Sequence, residues 1–437
     1  MADHRIAGLK AREILDSKAR PMVEVDVWTE GGVMGRGAAP CGTSVGRHEA
    51  FVLRDGGARY GGLGVRQAVR NAIEIISPAI QGKSALDQRG IDGLMIELDG
   101  TPNRSRLGAN AIYSVSIAVA RAAALAMGMP LYRYLGGPEA TLLPVPMFNM
   151  INGGRHGNVR MEFQEFLIIP ATARTYSEAL QTGVEVFSAL GEVITRRFGV
   201  EHLTTGSSAG YAAPTGEPAE VLDTLLEAAE VAGYGGKCRL GLDCAASHFY
   251  DATTGCYHMR GKSRARDDLI AHLEALTRSY DLFVIEDPLE EDDFKGFAEL
   301  TKRLHTLIVG DDLFVTNLSR LKQGISLGSA NAMVLKPNMV GTMSEALDAA
   351  RYATAHGYRV VGSGRAGGGV DDPIPDIAVA ACAPLVKFGA PRTGERLGKQ
   401  NCLLRIEEEL GTSGRFAGLK IFGSEGEMAG GRRGSRT

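Results

Sequence analysis

Hydrophobic and polar positions alternate through residues 4–36, most clearly in Met22-Val-Glu-Val-Asp-Val-Trp28, which predicts β-strands. Gly31-Gly32 marks a turn into a further short strand. Pro40-Cys-Gly-Thr-Ser-Val-Gly46 has no period and reads as a loop able to act as a lid. Apolar spacing then predicts helices over 64–80, 87–98 and 108–127, the last rich in alanine. Gly136-Gly137-Pro138 interrupts the pattern and is read as a domain boundary. Beyond Pro144, short β-type runs at 163–169, 239–244, 282–287, 306–311, 331–336, 358–363 and 385–388 alternate with helical stretches at 176–198, 217–232, 266–279, 294–304 and 344–356. So many strands in so short a span predict a closed (β/α)₈ barrel. The expected organisation is an α+β capping domain over 1–138, a barrel over 139–422, and a disordered tail over 423–437, where apolar side chains are almost absent.

The ends of these runs carry the chemistry. Ala332 to Leu335 is followed by Lys336, and three other runs end on Asp243, Glu286 and Asp311. The C-terminal ends of barrel strands form the catalytic rim. One amine and three carboxylates there describe a divalent-metal site beside a proton-abstracting base.

Composition narrows the field. The 437-residue chain has 44% hydrophobic residues, enough for a large core, and its formal charge of −3 supplies no basic field for nucleic acid. No apolar run approaches the length that spans a bilayer, and the N-terminus lacks the apolar segment of a signal peptide. Cys41, Cys238, Cys244, Cys256, Cys382 and Cys402 form no CxxC pair, so the expected protein is reduced and cytoplasmic.

Longer motifs add a resemblance. Glu13-Ile-Leu-Asp-Ser17, Gly108-Ala-Asn-Ala-Ile112, Asn149-Met-Ile-Asn-Gly-Gly154, Asp243-Cys-Ala-Ala-Ser247, Gly310-Asp-Asp-Leu-Phe-Val-Thr-Asn317 and Leu403-Leu-Arg-Ile-Glu-Glu408 resemble the enolase family from about residue 5 to residue 420. The resemblance implies an α+β domain before a modified α/β barrel with an antiparallel start, assembled as a homodimer or an octamer. It implies removal of a proton beside a carboxylate and loss of water from 2-phosphoglycerate, with one or two Mg²⁺. Asp243, Glu286 and Asp311 match the metal ligands, Ser44 the ligand of a second ion, and Lys336 the base. Lys399 matches the lysine on the substrate carboxylate and Arg365 the arginine on the phosphate. His156, Gln164 and Glu165 match further active-site positions. A neutral Lys336 would need a lowered pKa, which nearby cations would supply.

Two motifs depart from the family. Where enolases carry Gly-Asp-Glu-Gly-Gly, with the glutamate as general acid, this chain has Gly206-Ser-Ser-Ala-Gly210, so Ser208 replaces the acid. Where they carry Ser-His-Arg-Ser-Gly-Glu-Thr, it has Ser363-Gly-Arg-Ala-Gly-Gly-Gly369, with Gly364 for histidine and Ala366 for serine. The small residues predict a widened pocket for a phospho- or phosphono-carboxylate. On that basis the expected activity is that of carboxyphosphonoenolpyruvate synthase, from phosphinothricin-type antibiotic pathways. The alternatives are an enolase in which Glu165 or a water replaces the acid, and an inactive binding protein.

Overall fold

The computed structural model describes residues 3–43, 45–170 and 172–418. Ser44 and the expected tail lie outside them. Strands β1 (Ile6–Leu15), β2 (Pro21–Thr29) and β3 (Met34–Ala38) form an antiparallel sheet in that order. Helix α2 (Ala109–Ala126) packs on it, and α1 (Gln88–Asp99) packs against α2. The helix expected over 64–80 is present, but a π-helical turn, Ala72–Ile76, interrupts it.

Alanine in α2 allows a backbone-close contact. A Cβ on Gly35 would lie 2.1 Å from Ala118 O, and one on Gly37 would lie 2.4 Å from Ser114 O. Only glycine on β3 opposite small residues on α2 permits that approach. Helix α2 comes nearest to a membrane-length apolar segment. The helix is 18 residues long and apolar enough to cross a bilayer, yet it is mostly buried within the fold. Packing, not lipid, accounts for its composition.

The second sheet closes on itself. Its barrel strands are β4 (Val145–Asn152), β5 (Glu165–Ile169), β6 (Arg239–Asp243), β7 (Val284–Glu286), β8 (Leu307–Gly310), β9 (Ala332–Leu335), β10 (Arg359–Ser363) and β11 (Leu385–Gly389), and a two-residue strand, Tyr211–Ala212, pairs with β4 beside them. Neighbours pair in sequence order, and β11 pairs with β4 to complete the barrel. β5 runs antiparallel to both neighbours, while the pairs from β6 through β11 are parallel. This is the modified barrel with an antiparallel start.

Helices fill the crossovers: α3 (Tyr176–Phe198), α4 (Pro218–Val231), α5 (Arg266–Tyr280), α6 (Phe294–Arg303), α7 (Leu318–Leu327), α8 (Met343–Ala355), α9 (Ile374–Ala380) and α10 (Gly394–Leu410). Several begin on side-chain caps, which satisfy N–H groups that a helix leaves unpaired. Thr175 accepts from Glu178 N, Asp293 from Gly296 N, Asn317 from Arg320 N and Thr342 from Glu345 N. Asn317, part of a long family-like motif, therefore has a local structural task.

The barrel interior holds Leu167, Val284, Val309, Val334, Val361 and Leu385 in one apolar cluster. Side chains on a strand alternate between faces, so the residue two positions along points the same way. On the parallel strands that step leads from Val284 to Glu286, Val309 to Asp311, Val334 to Lys336, Val361 to Ser363 and Leu385 to Lys387. On antiparallel β5 the step runs backwards, from Leu167 to Glu165. The same inward face thus changes from apolar to charged at one rim. All six cysteines are free, and burial pushes the Cys41 thiol up, which fits an inert side chain there.

Candidate active site

Strand register brings the carboxylates together. Asp243 is paired with Glu286 on one side and Glu165 on the other, and Asp311 follows β8 directly. All four side chains are largely buried. Oε1 of Glu286 and Oδ1 of Asp311 accept no hydrogen bond among the described residues, and Oε2 of Glu286 faces the Lys387 ammonium at 2.6 Å. Burying such oxygens without donors is costly, and a hard divalent cation is the partner they suit. Glu286 and Asp311 therefore fit Mg²⁺, and Asp243 stands beside them in strand register, its oxygens shared with Ala245 N, Gln164 and Lys387. Burial pushes the Glu286 carboxyl well above its ordinary range, with Asp243 and Asp311 repelling its charge, although Lys387 opposes the shift.

A different trio, Asp287, Asp311 and Asp312, brings its oxygens within 4.8 Å of one another. Asp287 is less suited to a cation, because its two oxygens already accept from Asp311 N at 2.9 Å and Asp312 N at 2.8 Å. It shapes the turn after β8.

Lys336 forms an ion pair with Asp311. Its backbone is held unusually. Val315 and Thr316 are buried β-branched residues at φ 42° and 58°, a region such residues rarely adopt. Thr316 Oγ1 donates to Val334 O at 3.1 Å and accepts from Lys336 N at 2.9 Å. The strained turn thus fixes the end of β9. Among the protein's own groups the balance at Lys336 runs opposite to the expected lowering. Burial, Arg365 and Lys387 push it down, but Asp311 outweighs them and holds the ammonium above its ordinary value.

The substrate-carboxylate lysine is corrected too. Lys399 lies outside the cleft, with its Nζ 3.4 Å from Asp372 Oδ2 and ion-paired to Glu395. Lys387 occupies the cleft instead, 2.6 Å from Glu286 Oε2, 3.0 Å from Asp243 Oδ2 and 3.3 Å from Glu165 Oε2. The sequence reading missed it, although its inward position on an assigned strand was a usable signal.

Opposite, His156 Nδ1 lies 3.0 Å from Glu165 Oε1, and Ser208 Oγ donates to the same oxygen at 2.7 Å. Ser208 Oγ is also 3.3 Å from His156 Nδ1. Burial pushes Glu165 up, but Lys387 and the hydrogen bond from His156 outweigh it and hold the carboxyl well below its usual range. Gln164 Nε2 reaches Asp243 Oδ2 at 3.3 Å. Arg365 is buried and makes a two-pronged contact with Glu49, at 2.7 and 3.1 Å. Gly364 and Ala366 complete this side of the cleft. Of the expected site residues that the structure describes, the fold gathers all but Glu286 and Lys399 along the cleft, with Glu286 directly behind Lys387.

Gly364, Gly367 and Gly368 do not open onto empty space. A Cβ on Gly364 would lie 3.1 Å from Lys399 Cε, one on Gly367 would lie 1.9 Å from Arg20 Nη2, and one on Gly368 would lie 3.3 Å from Asp372 Oδ2. Side chains from behind fill the space that these glycines leave.

Residues 6–135 match the family model described as "Enolase, N-terminal domain", and residues 140–424 match "Enolase, C-terminal TIM barrel domain". The chain belongs to the enolase family. A Methanopyrus kandleri protein named enolase is 51% identical over 422 residues, covering 96% of this chain and 99% of the relative. Enolases from Methanocaldococcus jannaschii and Pyrococcus furiosus are each 49% identical, covering 94% and 96% of this chain and 97% and 98% of their own. These likenesses overturn the carboxyphosphonoenolpyruvate synthase reading, which rested on family analogy and pocket volume. Relatives about half identical along nearly their full length bear the enolase name, and the space beside those three glycines is filled.

Proposed function

We propose that this enolase-family chain is an Mg²⁺-dependent lyase interconverting 2-phosphoglycerate and phosphoenolpyruvate, with an altered acid side. One observation carries the reading: carboxylates suited to a hard cation stand beside Lys336 at the rim of an enolase-type barrel. A cytoplasmic homodimer or octamer belongs to the same proposal. So do the roles assigned to individual residues, Ser44 as a second-ion ligand included.

Asp243, Glu286 and Asp311 would hold the metal. Bound there, Mg²⁺ neutralises charge that develops on the substrate carboxylate as the C2 proton leaves. Lys336 Nζ takes that proton, which requires the neutral amine and so the loss of its pairing to Asp311. Lys387 binds the substrate carboxylate and Arg365 the phosphate. The C3 hydroxyl leaves as water after accepting a proton from the Glu165 side, directly or through a water held by Glu165, His156 and Gln164. A carboxyl held ionised is a poor acid, and the Ser208 hydroxyl does not replace one, so this step is the slow one.

With 2-phosphoglycerate and Mg²⁺ in D₂O, NMR is expected to show C2–H exchange outpacing phosphoenolpyruvate formation. EDTA should stop both. Absence of exchange and of product at saturating Mg²⁺ would sink the reading.

The two lysines are expected to separate cleanly. Lys387→Met should raise KM for 2-phosphoglycerate about tenfold or more, the worth of a charge-assisted hydrogen bond. Lys399→Met removes one of the two cations on buried Glu395, leaving Arg396 Nε at 3.1 Å, and should cost about 1–3 kcal/mol of stability with little change in KM. Thermal melts and steady-state kinetics on both variants check this. An equal KM effect from Lys399→Met would restore it to the site.

A further inference from the structure

The contact between the N-terminal sheet and the barrel rim is organised by one arginine. Arg20 precedes β2, and its Nε donates to Asp16 Oδ2 at 2.9 Å. Its Nη1 donates to Gly42 O at 3.1 Å, and its Nη2 to Cys41 O at 2.5 Å and Ala366 O at 3.1 Å. The Asp16 side chain is fully buried and also accepts from Lys18 N and Arg20 N, so the guanidinium has a fixed seat.

One side chain thereby joins the β1–β2 turn, the 41–42 segment and the barrel segment after Arg365. Backbone bonds reinforce the junction: Cys41 N donates to Gly367 O at 3.0 Å, and Ser17 N to Gly368 O at 3.1 Å. Thr43 Oγ1 donates to Ala366 O at 2.8 Å. Gly367 has φ 122°, and any Cβ there would collide with Arg20 Nη2. That glycine is required by the arginine as well as by its backbone. Thr43, Arg365 and Ala366 all line the cleft.

We propose that Arg20 is a positioning residue for the phosphate side of the cleft. It holds the segment carrying Arg365 against the N-terminal domain before substrate arrives, so binding need not order that segment. The proposal rests on the lyase reading given above. Lysine at position 20 would not substitute, because a single ammonium does not span carbonyls on two segments together with Asp16. Lys336 is fixed independently through Thr316, so the proton-abstraction step is left largely intact.

The test combines kinetics with amide hydrogen exchange on full-length Arg20→Ala and Arg20→Lys. Losing these charge-assisted bonds should raise KM for 2-phosphoglycerate about tenfold or more, with kcat changed much less. In the substrate-free protein, exchange at the Cys41 and Ser17 amides should quicken in both variants. A lowered melting temperature with unchanged KM would make Arg20 merely structural and overturn the proposal. Unchanged amide exchange would show that the clasp does not depend on Arg20 and overturn it too. Inactivity of the unsubstituted protein on 2-phosphoglycerate would instead remove the lyase reading and the phosphate role with it. The exchange arm would then still report the clasp by itself, which keeps the two failures apart.

Discussion

Lys336→Met is expected to abolish C2–H exchange into 2-phosphoglycerate and to lower turnover by about 10²–10⁴-fold, the usual worth of a positioned base. The Lys336 amine is the one that the rim pairs with Asp311, and its backbone is pinned by Thr316 Oγ1. Lys336→Arg sharpens the test. Arginine keeps a positive charge near Asp311 but does not deprotonate at working pH. Both variants should therefore lose exchange, while the arginine variant retains more stability. Exchange that persists in Lys336→Arg would assign the base elsewhere.

The second large effect is a gain. Ser208→Glu should speed phosphoenolpyruvate formation by up to about 10²–10⁴-fold, because it places a second carboxyl beside Glu165. Ser208 Oγ already lies 2.7 Å from Glu165 Oε1 within a buried site. Two carboxyls that close do not both ionise near neutral pH, so one of them becomes a proton donor. Product formation should then catch up with C2 exchange. Ser208→Gln is the control, matched in size and without an ionisable proton. If the glutamine variant gains as much, space or polarity is responsible and the acid argument fails. Coupled phosphoenolpyruvate assays and deuterium incorporation, run side by side, give both rates.

The clustering of Asp243, Glu286 and Asp311 was legible in sequence because short apolar runs ended on acids, and strand geometry then leaves few places for those acids to go. The same logic found Lys336. It failed on the other lysine. Lys387 stands two residues after inward-facing Leu385 on a strand that had been assigned, so alternation places it inside the barrel. Lys399 sits on α10, where motif likeness suggested a ligand but helix packing supplies Glu395 and Asp372. Motif order says nothing about which face a side chain takes.

Glycines misled for a related reason. Gly364 and Gly367 read as missing side chains and hence as room. Whether a missing side chain leaves a hole depends on what approaches from behind, and here Lys399 and Arg20 do. The expectation for Lys336 weighed only cations, whereas Asp311 is its near partner. Distant pairings such as Glu49 with Arg365 leave no local trace in the sequence.

Helix α2 has a consequence for the making of the protein. Ile112, Val115, Ala118 and Ala122 belong to the N-terminal core, while Tyr113, Ile117, Ala120 and Ala124 belong to the core of the barrel. Those two sets are separate stripes of one helix. On the ribosome the first set finds its sheet early, but the second faces residues not yet translated. The nascent N-terminal half therefore carries a greasy stripe until the barrel arrives, and translation that stalls near residue 140 leaves a fragment fit for chaperone capture or aggregation.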